Sequence, residues 1–252
     1  MNEAQAIPAT GRIDLHCHLL PGIDDGCQNL EQSIECVRRW KEAGFIGSVC
    51  TPHVGPSWYR NNTPDNIARW ITTLREELAE AGIEYQLWDG GEVRLAEETI
   101  EWFSYWGLPT LGPGRCVLLD WWGDYWPDFG TEACEFLLEN GYQPILAHPE
   151  RLGLKQDEYD RVLARLEAIG VWLQGNFNSI SGGEGPTAQR RAEQLLREDR
   201  YFVLATDTHG PGGVPSRLEG LTAARAEFGA ERMTLLLETR QREILEPRVS
   251  GD

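Results

Sequence analysis

The chain has 252 residues, a formal net charge of -17, 41% hydrophobic and 25% charged residues. That balance is typical of a folded globular protein, and so acidic a surface repels phosphate backbones, which argues against nucleic-acid binding. No apolar stretch approaches the roughly 20 residues of a membrane span, so no membrane insertion is expected.

Strand-like and helix-like segments alternate along the chain. The run 13–19 precedes a helical pattern at 29–44, and 46–52 precedes 63–82. Then 83–90 is followed by 96–106, 116–121 by 131–141, 143–148 by 156–170, 171–176 by 187–199, and 201–209 by 216–229. The helices are read from apolar spacing near 3.6 residues and the strands from short apolar runs. Gly44, Gly82, Gly141, Gly170 and Gly229 stand where helices close. Thr63, before Pro64, and Thr131 are the expected N-caps. A last helix is expected at 232–246.

Seven β–α units in strict alternation predict a parallel sheet flanked by helices. Closed on itself, this is an α/β fold of the (β/α)7 TIM-like barrel kind, one unit short of the usual eight. No repeat, low-complexity run or linker interrupts it. Residues 1–252 are expected to form a single domain, with 1–11 a loose N-terminal extension.

The N-terminal MNEAQAIPATGR has neither the basic start nor the apolar core of a signal peptide, and the expected location is cytoplasmic. The six cysteines form no CxxC pair and are expected to be free thiols.

All five histidines fall in short motifs at the ends of strand-like runs: His16 and His18 in DLHCHLLPGIDDG, His53 in CTPHV, His148 in ILAHPER, and His209 in ATDTHG. Glu92, Asp120 and Asp207 stand at matching points on other strands. Enzyme sites of parallel barrels lie at this C-terminal rim, so residues from six strands would converge there. Strand alternation puts Asp14, His16 and His18 on one face and Ile13, Leu15, Cys17 and Leu19 on the other, with Cys17 in the packing layer. It likewise sets Asp207 beside His209. So many donors exceed the four that one zinc takes, which implies two to three divalent ions. Mixed imidazole and carboxylate ligands suit manganese first, with iron or zinc as the other choices.

These motifs resemble the polymerase and histidinol phosphatase (PHP) superfamily. Within it they are most similar to the bacterial metal-dependent tyrosine-protein phosphatases of capsule and exopolysaccharide synthesis. The carriers are DLHCHLLPGIDDG (14–26), TPH (51–53), GGE (90–92), AHPER (147–151) and TDTH (206–209). The resemblance covers roughly residues 12–246. It implies a distorted (β/α)7 TIM-like barrel with metal ligands at His16, His18, Asp25, His53, Glu92, Asp120, His148, Asp207 and His209. It also implies that Arg151 binds the phosphoryl group, with Arg217 as a second substrate-binding arginine. Catalytic roles would fall to Arg151, Asp207 and His209. Two departures stand out: the family normally ends its fourth strand in glutamate where this chain has Asp120, and the loop GPGGVPSR before Arg217 is longer than the family pattern.

The implied activity is hydrolysis of phosphomonoesters, foremost phosphotyrosine on proteins, by attack of a metal-bridged hydroxide. The partner would be a phosphotyrosine protein such as a bacterial tyrosine kinase of polysaccharide synthesis. The aromatic run DWWGDYWPDF after strand four, with Trp121, Trp122, Tyr125, Trp126 and Phe129, could stack a tyrosine ring. No cysteine lies six positions before an arginine, which rules out a cysteine-based phosphatase loop. The only lysines, Lys41 and Lys155, lie at no strand end, so the bridging lysine of amidohydrolases is missing. The alternatives are a small-molecule phosphatase such as histidinol phosphatase, and a non-catalytic metal-binding or kinase-docking protein.

Overall fold

The computed structural model describes residues 7–247. Its strands are β1 (Arg12–Cys17), β2 (Phe45–Cys50), β3 (His53–Val54), β4 (Gln86–Asp89), β5 (Glu92–Arg94), β6 (Cys116–Asp120), β7 (Gln143–Ala147), β8 (Trp172–Asn176) and β9 (Tyr201–Ala205). Neighbours are parallel throughout, in the orders β1-β2-β4 and β3-β5-β6-β7-β8-β9.

The two sheets are one wall. Thr51-Pro52 interrupts the stave that runs from β2 to β3, and Gly90-Gly91 interrupts the stave from β4 to β5. Proline has no N–H to give a ladder, and the Pro52 carbonyl accepts from Glu92 N at 3.0 Å. The ring closes just beyond β9. Asp207 N donates to His16 O at 2.8 Å, His18 N donates to Thr208 O at 2.9 Å, and Cys17 bridges Thr208 in parallel. Seven staves result, as the alternation of segments predicts.

Helices α1 (Leu30–Glu42), α2 (Pro64–Glu80), α3 (Thr99–Trp106), α4 (Asp128–Glu139), α5 (Gln156–Ile169), α6 (Phe177–Ile180), α7 (Pro186–Arg197), α8 (Val214–Thr234) and α9 (Arg240–Leu245) complete the chain. They carry apolar stripes onto the outer face of the strands. There Cys17, Leu19, Val117, Leu119, Leu146, Leu173 and Leu204 pack against Trp40, Leu74, Leu163 and Leu195. A smaller cluster joins Ile13, Leu15, Val49, Trp88, Leu118, Ile145 and Val203 with Ile244 and Leu245 of α9. Side chains from so many staves meet only inside the ring, and α9 stoppers its lower end.

Several local expectations are corrected. The alternation along 13–19 is broken by a bulge between Asp14 and Cys17. Ile13 and Leu15 therefore join the inner cluster, while Cys17 and Leu19 join the outer one. Asp14 accepts from Thr206 N and Oγ1 at 2.9 and 2.6 Å and shares no donor group with the histidines. Thr131 caps nothing: α4 starts at Asp128 behind Pro127, and the Thr131 hydroxyl accepts from Trp126 Nε1 at 3.0 Å. Thr63 does stand at the N-cap of α2, but its side chain makes no capping bond. Gly229 does close a helix: at φ 83° and ψ 165° it is non-helical and divides the run Val214–Thr234 in two, and a π-helical turn at Leu235–Thr239 leads on into α9.

Of the segment 1–11, residues 1–6 lie outside the described residues. Pro8 and Gly11 accept hydrogen bonds from Arg242, at 2.9 and 2.8 Å. All six cysteines are buried and free, and among the described residues no helix is long and apolar enough to cross a membrane.

The stopper is sensitive to volume. A Cβ added at Gly114 would sit 1.8 Å from the Ile244 carbonyl oxygen. Gly114→Ala is expected to cost about 1–3 kcal/mol and to lower the melting temperature by roughly 3–10 °C in a thermal scan.

Candidate metal centre

The rim segments bring nine donor residues together. Donor atoms lie within 4.8 Å of one another in four groups: His18, Asp25, His53 and His209; His16, His18 and Asp207; His16, Glu92 and His148; His53, Glu92 and Asp120. These are the nine positions that the motifs single out. His16 and His18 present their Nε2 atoms 3.2 Å apart. Glu92 is the hub: Oε2 lies 3.4 Å from His16 Nε2, 3.3 Å from His18 Nε2 and 2.9 Å from His53 Nδ1, while Oε1 lies 2.9 Å from His148 Nε2. Asp207 Oδ1 lies 3.5 Å from both His16 and His18 Nε2 and 3.3 Å from His209 Nδ1. Asp25 Oδ1 faces His53 and His209 Nε2 at 3.3 and 3.5 Å. Asp120, one methylene shorter than glutamate, still brings Oδ1 to 3.8 Å from His148 Nδ1.

The backbone is shaped for this convergence. His148 and Asp207 both adopt positive φ, 31° and 50°, a region that non-glycine residues rarely visit away from functional sites. Asp207 thus lies past the end of β9, so strand alternation is not what sets it beside His209. The PGIDDG turn folds so tightly against β1 that a Cβ at Gly26 would fall 2.3 Å from the His18 carbonyl oxygen.

A surrounding ring of polar groups fixes the donors, and the motif reading missed it. Asp24 Oδ2 is 2.8 Å from His18 Nδ1 and accepts from His53 N at 3.0 Å. Gln174 Oε1 accepts from His16 Nδ1 at 2.8 Å, and Asn176 Nδ2 donates to Asp207 Oδ2 at 2.8 Å. Glu150, buried, accepts from Asn176 N and Tyr201 OH. Such partners set ring orientation and tautomer at metal sites. Gln174 and Asn176 occupy β8, the one stave without a metal-type residue. Their position at a strand end was the available signal.

The two arginines part company. Arg151 Nη1 donates to Asp207 Oδ2 at 2.8 Å, and its Nε lies 3.6 Å from Glu184 Oε2. Its side chain is 31% exposed, so it stands at the cluster with an edge facing solvent. Arg217 is buried and turned to the backbone. Nε donates to Thr206 O at 2.6 Å, Nη2 to Asp207 O at 2.5 Å and Nη1 to Gly213 O at 3.0 Å. It clasps the left-handed Asp207 and is not brought into the donor cluster.

Of the aromatic run, Trp122 alone stacks near the donors, its ring edge-on to His53 at 5.3 Å. Trp121 donates to Tyr125 O, and Trp126 donates to Thr131; both are used in packing the loop.

Electrostatics agree with a cation-binding role. Burial pushes Glu92 and Asp207 upward, but the surrounding imidazoles outweigh it and hold both well below the usual carboxylate range. Burial pulls His18 and His53 down, yet Asp24 and Glu92 outweigh it, raising His18 well above its ordinary value and His53 to about 9. Burial, with the Glu92 charge, pushes Asp120 up to about 6. Among the described residues, Nδ1 and Nε2 of His53, Glu92 Oε2, Asp120 Oδ2 and Asp207 Oδ1 are buried without a hydrogen-bond partner. Buried polar atoms are normally satisfied. Five orphaned atoms aimed into one cluster fit divalent cations.

The chain and its fold have relatives. The family model described as "Capsular polysaccharide synthesis, CpsB/CapC" matches residues 12–246. The tyrosine-protein phosphatase YwqE of Bacillus subtilis is 28% identical over 230 residues, which span 90% of this chain and 89% of that protein. The tyrosine-protein phosphatase CpsB of Streptococcus agalactiae serotype V is 26% identical over 241 residues, 92% of this chain and 98% of that one. A solved chain from the crystal structures of YwqE from Bacillus subtilis and CpsB from Streptococcus pneumoniae, described as unique metal-dependent tyrosine phosphatases, superposes with a TM-score of 0.83 at 26% identity. It covers 94% of this chain and 95% of its own. With its match running from the first strand to the last helix, the chain belongs to the CpsB/CapC family of capsular polysaccharide synthesis.

Proposed function

We propose that this chain is a metal-dependent protein-tyrosine phosphatase, a phosphoric monoester hydrolase acting on phosphotyrosine in proteins. The observation that carries the reading is the rim cluster. Nine donors and five orphaned buried atoms lie beside a half-free arginine, in a chain similar along nearly its whole length to tyrosine-protein phosphatases. The four donor groups would hold two to three divalent ions, manganese foremost, with iron or zinc suited to the same donors. When bound, such ions acidify water and neutralise phosphoryl oxygens.

The remaining work belongs to the chain. Arg151, anchored by Asp207 and flanked by Glu184, directs its free N–H groups at the phosphoryl oxygens of a substrate. Asp207 stays anionic at neutral pH, so it positions Arg151 and the imidazoles rather than donating a proton. His209, 31% exposed and stacked on His18 at 3.9 Å, stands at the mouth, where the leaving phenolate departs. Phenolate is a fair leaving group, which lightens the demand for a general acid. The setting we propose is the cytoplasm, and the substrate a phosphorylated tyrosine kinase of polysaccharide synthesis.

Chelation is expected to abolish hydrolysis of p-nitrophenyl phosphate and of a phosphotyrosine peptide, and manganese to restore it. A metal-loaded protein inert on both would refute the reading. Because the carboxylates hold His18, His53 and His148 protonated above their ordinary range, cation binding must release protons at neutral pH. Affinity is therefore expected to rise with pH from neutral toward and through about 9, where His53 loses its proton. Calorimetry in buffers of different ionisation enthalpy measures this; a pH-independent affinity would contradict it. The arginines should separate. Arg151→Ala is expected to lower kcat/KM by about 10²–10³-fold with little change in melting temperature. Arg217→Ala is expected to lose about 2–3 kcal/mol of stability by stripping buried carbonyls of their donor, with activity falling alongside.

A further inference from the structure

Arg94 has an unusual setting. Its guanidinium lies over two indole rings at the rim, 4.3 Å from the centroid of Trp58 and 4.2 Å from that of Trp122. The two rings are 6.3 Å apart and inclined by 64°. Both are large apolar side chains left 50% and 43% exposed. Among the described residues Arg94 has no carboxylate partner, and its Nη1 is buried with no hydrogen bond. In a chain of net charge -17, a half-buried arginine with an unpaired Nη1 and no acid beside it is costly to keep unless something else supplies the anion.

Its place in the fold says what. β5 carries Glu92 into the donor cluster and Arg94 two residues further toward the rim, about 7 Å along the strand. Trp122 touches both systems, since its ring is also edge-on to His53 at 5.3 Å, and Tyr59 stacks on that imidazole at 5.7 Å. A phosphate held in the cluster would therefore place the residues next to it over this platform. Ring centroids 4.3 and 4.2 Å from Cζ but only 6.3 Å from each other lie on adjoining rather than opposite sides of the guanidinium, which leaves N–H groups other than the buried Nη1 to meet a carboxylate.

We infer that Arg94, held by Trp58 and Trp122, is a specificity residue that binds the carboxylate of an acidic side chain flanking the phosphotyrosine of the substrate. The inference rests on the phosphatase reading above and deepens it. It makes this enzyme, despite its acidic surface, selective for phosphotyrosine beside glutamate or aspartate.

The test uses the full, metal-loaded chain and three phosphotyrosine peptides that differ only in the adjacent residue: glutamate, glutamine or lysine. The wild type should prefer the glutamate peptide over the glutamine one by about fivefold in kcat/KM, the weight of one partly exposed ion pair, mainly through KM. Arg94→Gln should bring that ratio close to one. Arg94→Glu should reverse the order in favour of the lysine peptide, a gain that misfolding cannot produce. The same ranking should appear in the affinity of the metal-loaded protein for peptides carrying a non-hydrolysable phosphotyrosine mimic, read by fluorescence anisotropy. Hydrolysis of all three peptides without preference, or a preference that survives Arg94→Gln, overturns the inference and leaves the phosphatase reading standing. Failure to hydrolyse any peptide or p-nitrophenyl phosphate overturns both.

Discussion

Carboxylates buried at the mouth of a barrel govern this structure. Glu92, Asp120 and Asp207 are each at most 1% exposed, and ionised groups taken out of water must be met by opposite charge. The histidines meet part of that demand, which is why Glu92 touches four of them at once. The fit remains incomplete, because oxygen and nitrogen atoms of the same residues stay without hydrogen bonds. Interruptions of β2–β3 and β4–β5, the bulge in β1 and the positive φ at His148 and Asp207 all serve to aim these groups at one volume. Each is a departure from regular strand structure, and each lies within a few residues of a donor.

Around the donors, polar residues convert loose side chains into a fixed geometry. Asp24 and Gln174 occupy the far nitrogens of His18 and His16, leaving both Nε2 atoms directed inward. Asn176 and Arg151 share Asp207 Oδ2, so the same carboxylate that faces the histidines also orients the arginine. Arg217 locks the backbone beneath it. Recognition of the phosphoryl group and assembly of the cluster are therefore mechanically joined through Asp207.

Much of this was legible in the sequence. Strand-like runs ending in histidine or acid mark the staves, and the donors sit at strand ends because that is where parallel barrels open. Even Asp120 joins the cluster, since the rim is compact enough to absorb one missing methylene. The parts that escaped depend on contacts between distant segments. Simple alternation cannot foresee a bulge, so it puts Asp14 on the wrong face. Asp24 was hidden by its neighbour Asp25, and Gln174 and Asn176 by having side chains that metals seldom favour. Arg217 looked like a substrate ligand because sequence shows an arginine near TDTH but not the carbonyls that claim it. The platform around Arg94 joins the end of β5 to Trp58 and Trp122 from two loops, a proximity no local pattern encodes.

The closure of the ring has one more consequence. The first stave meets the last through only a few backbone bonds, at His16, His18, Asp207 and Thr208, and three of those residues are donors of the same group. A cation shared by His16, His18 and Asp207 would span the joint as a non-covalent clasp. Folding and loading would then be thermodynamically linked: an ion that binds only the closed ring adds RT ln(1 + [M]/Kd) to its stability. A cell's supply of the ion would set how much of the protein persists as well as how fast it works.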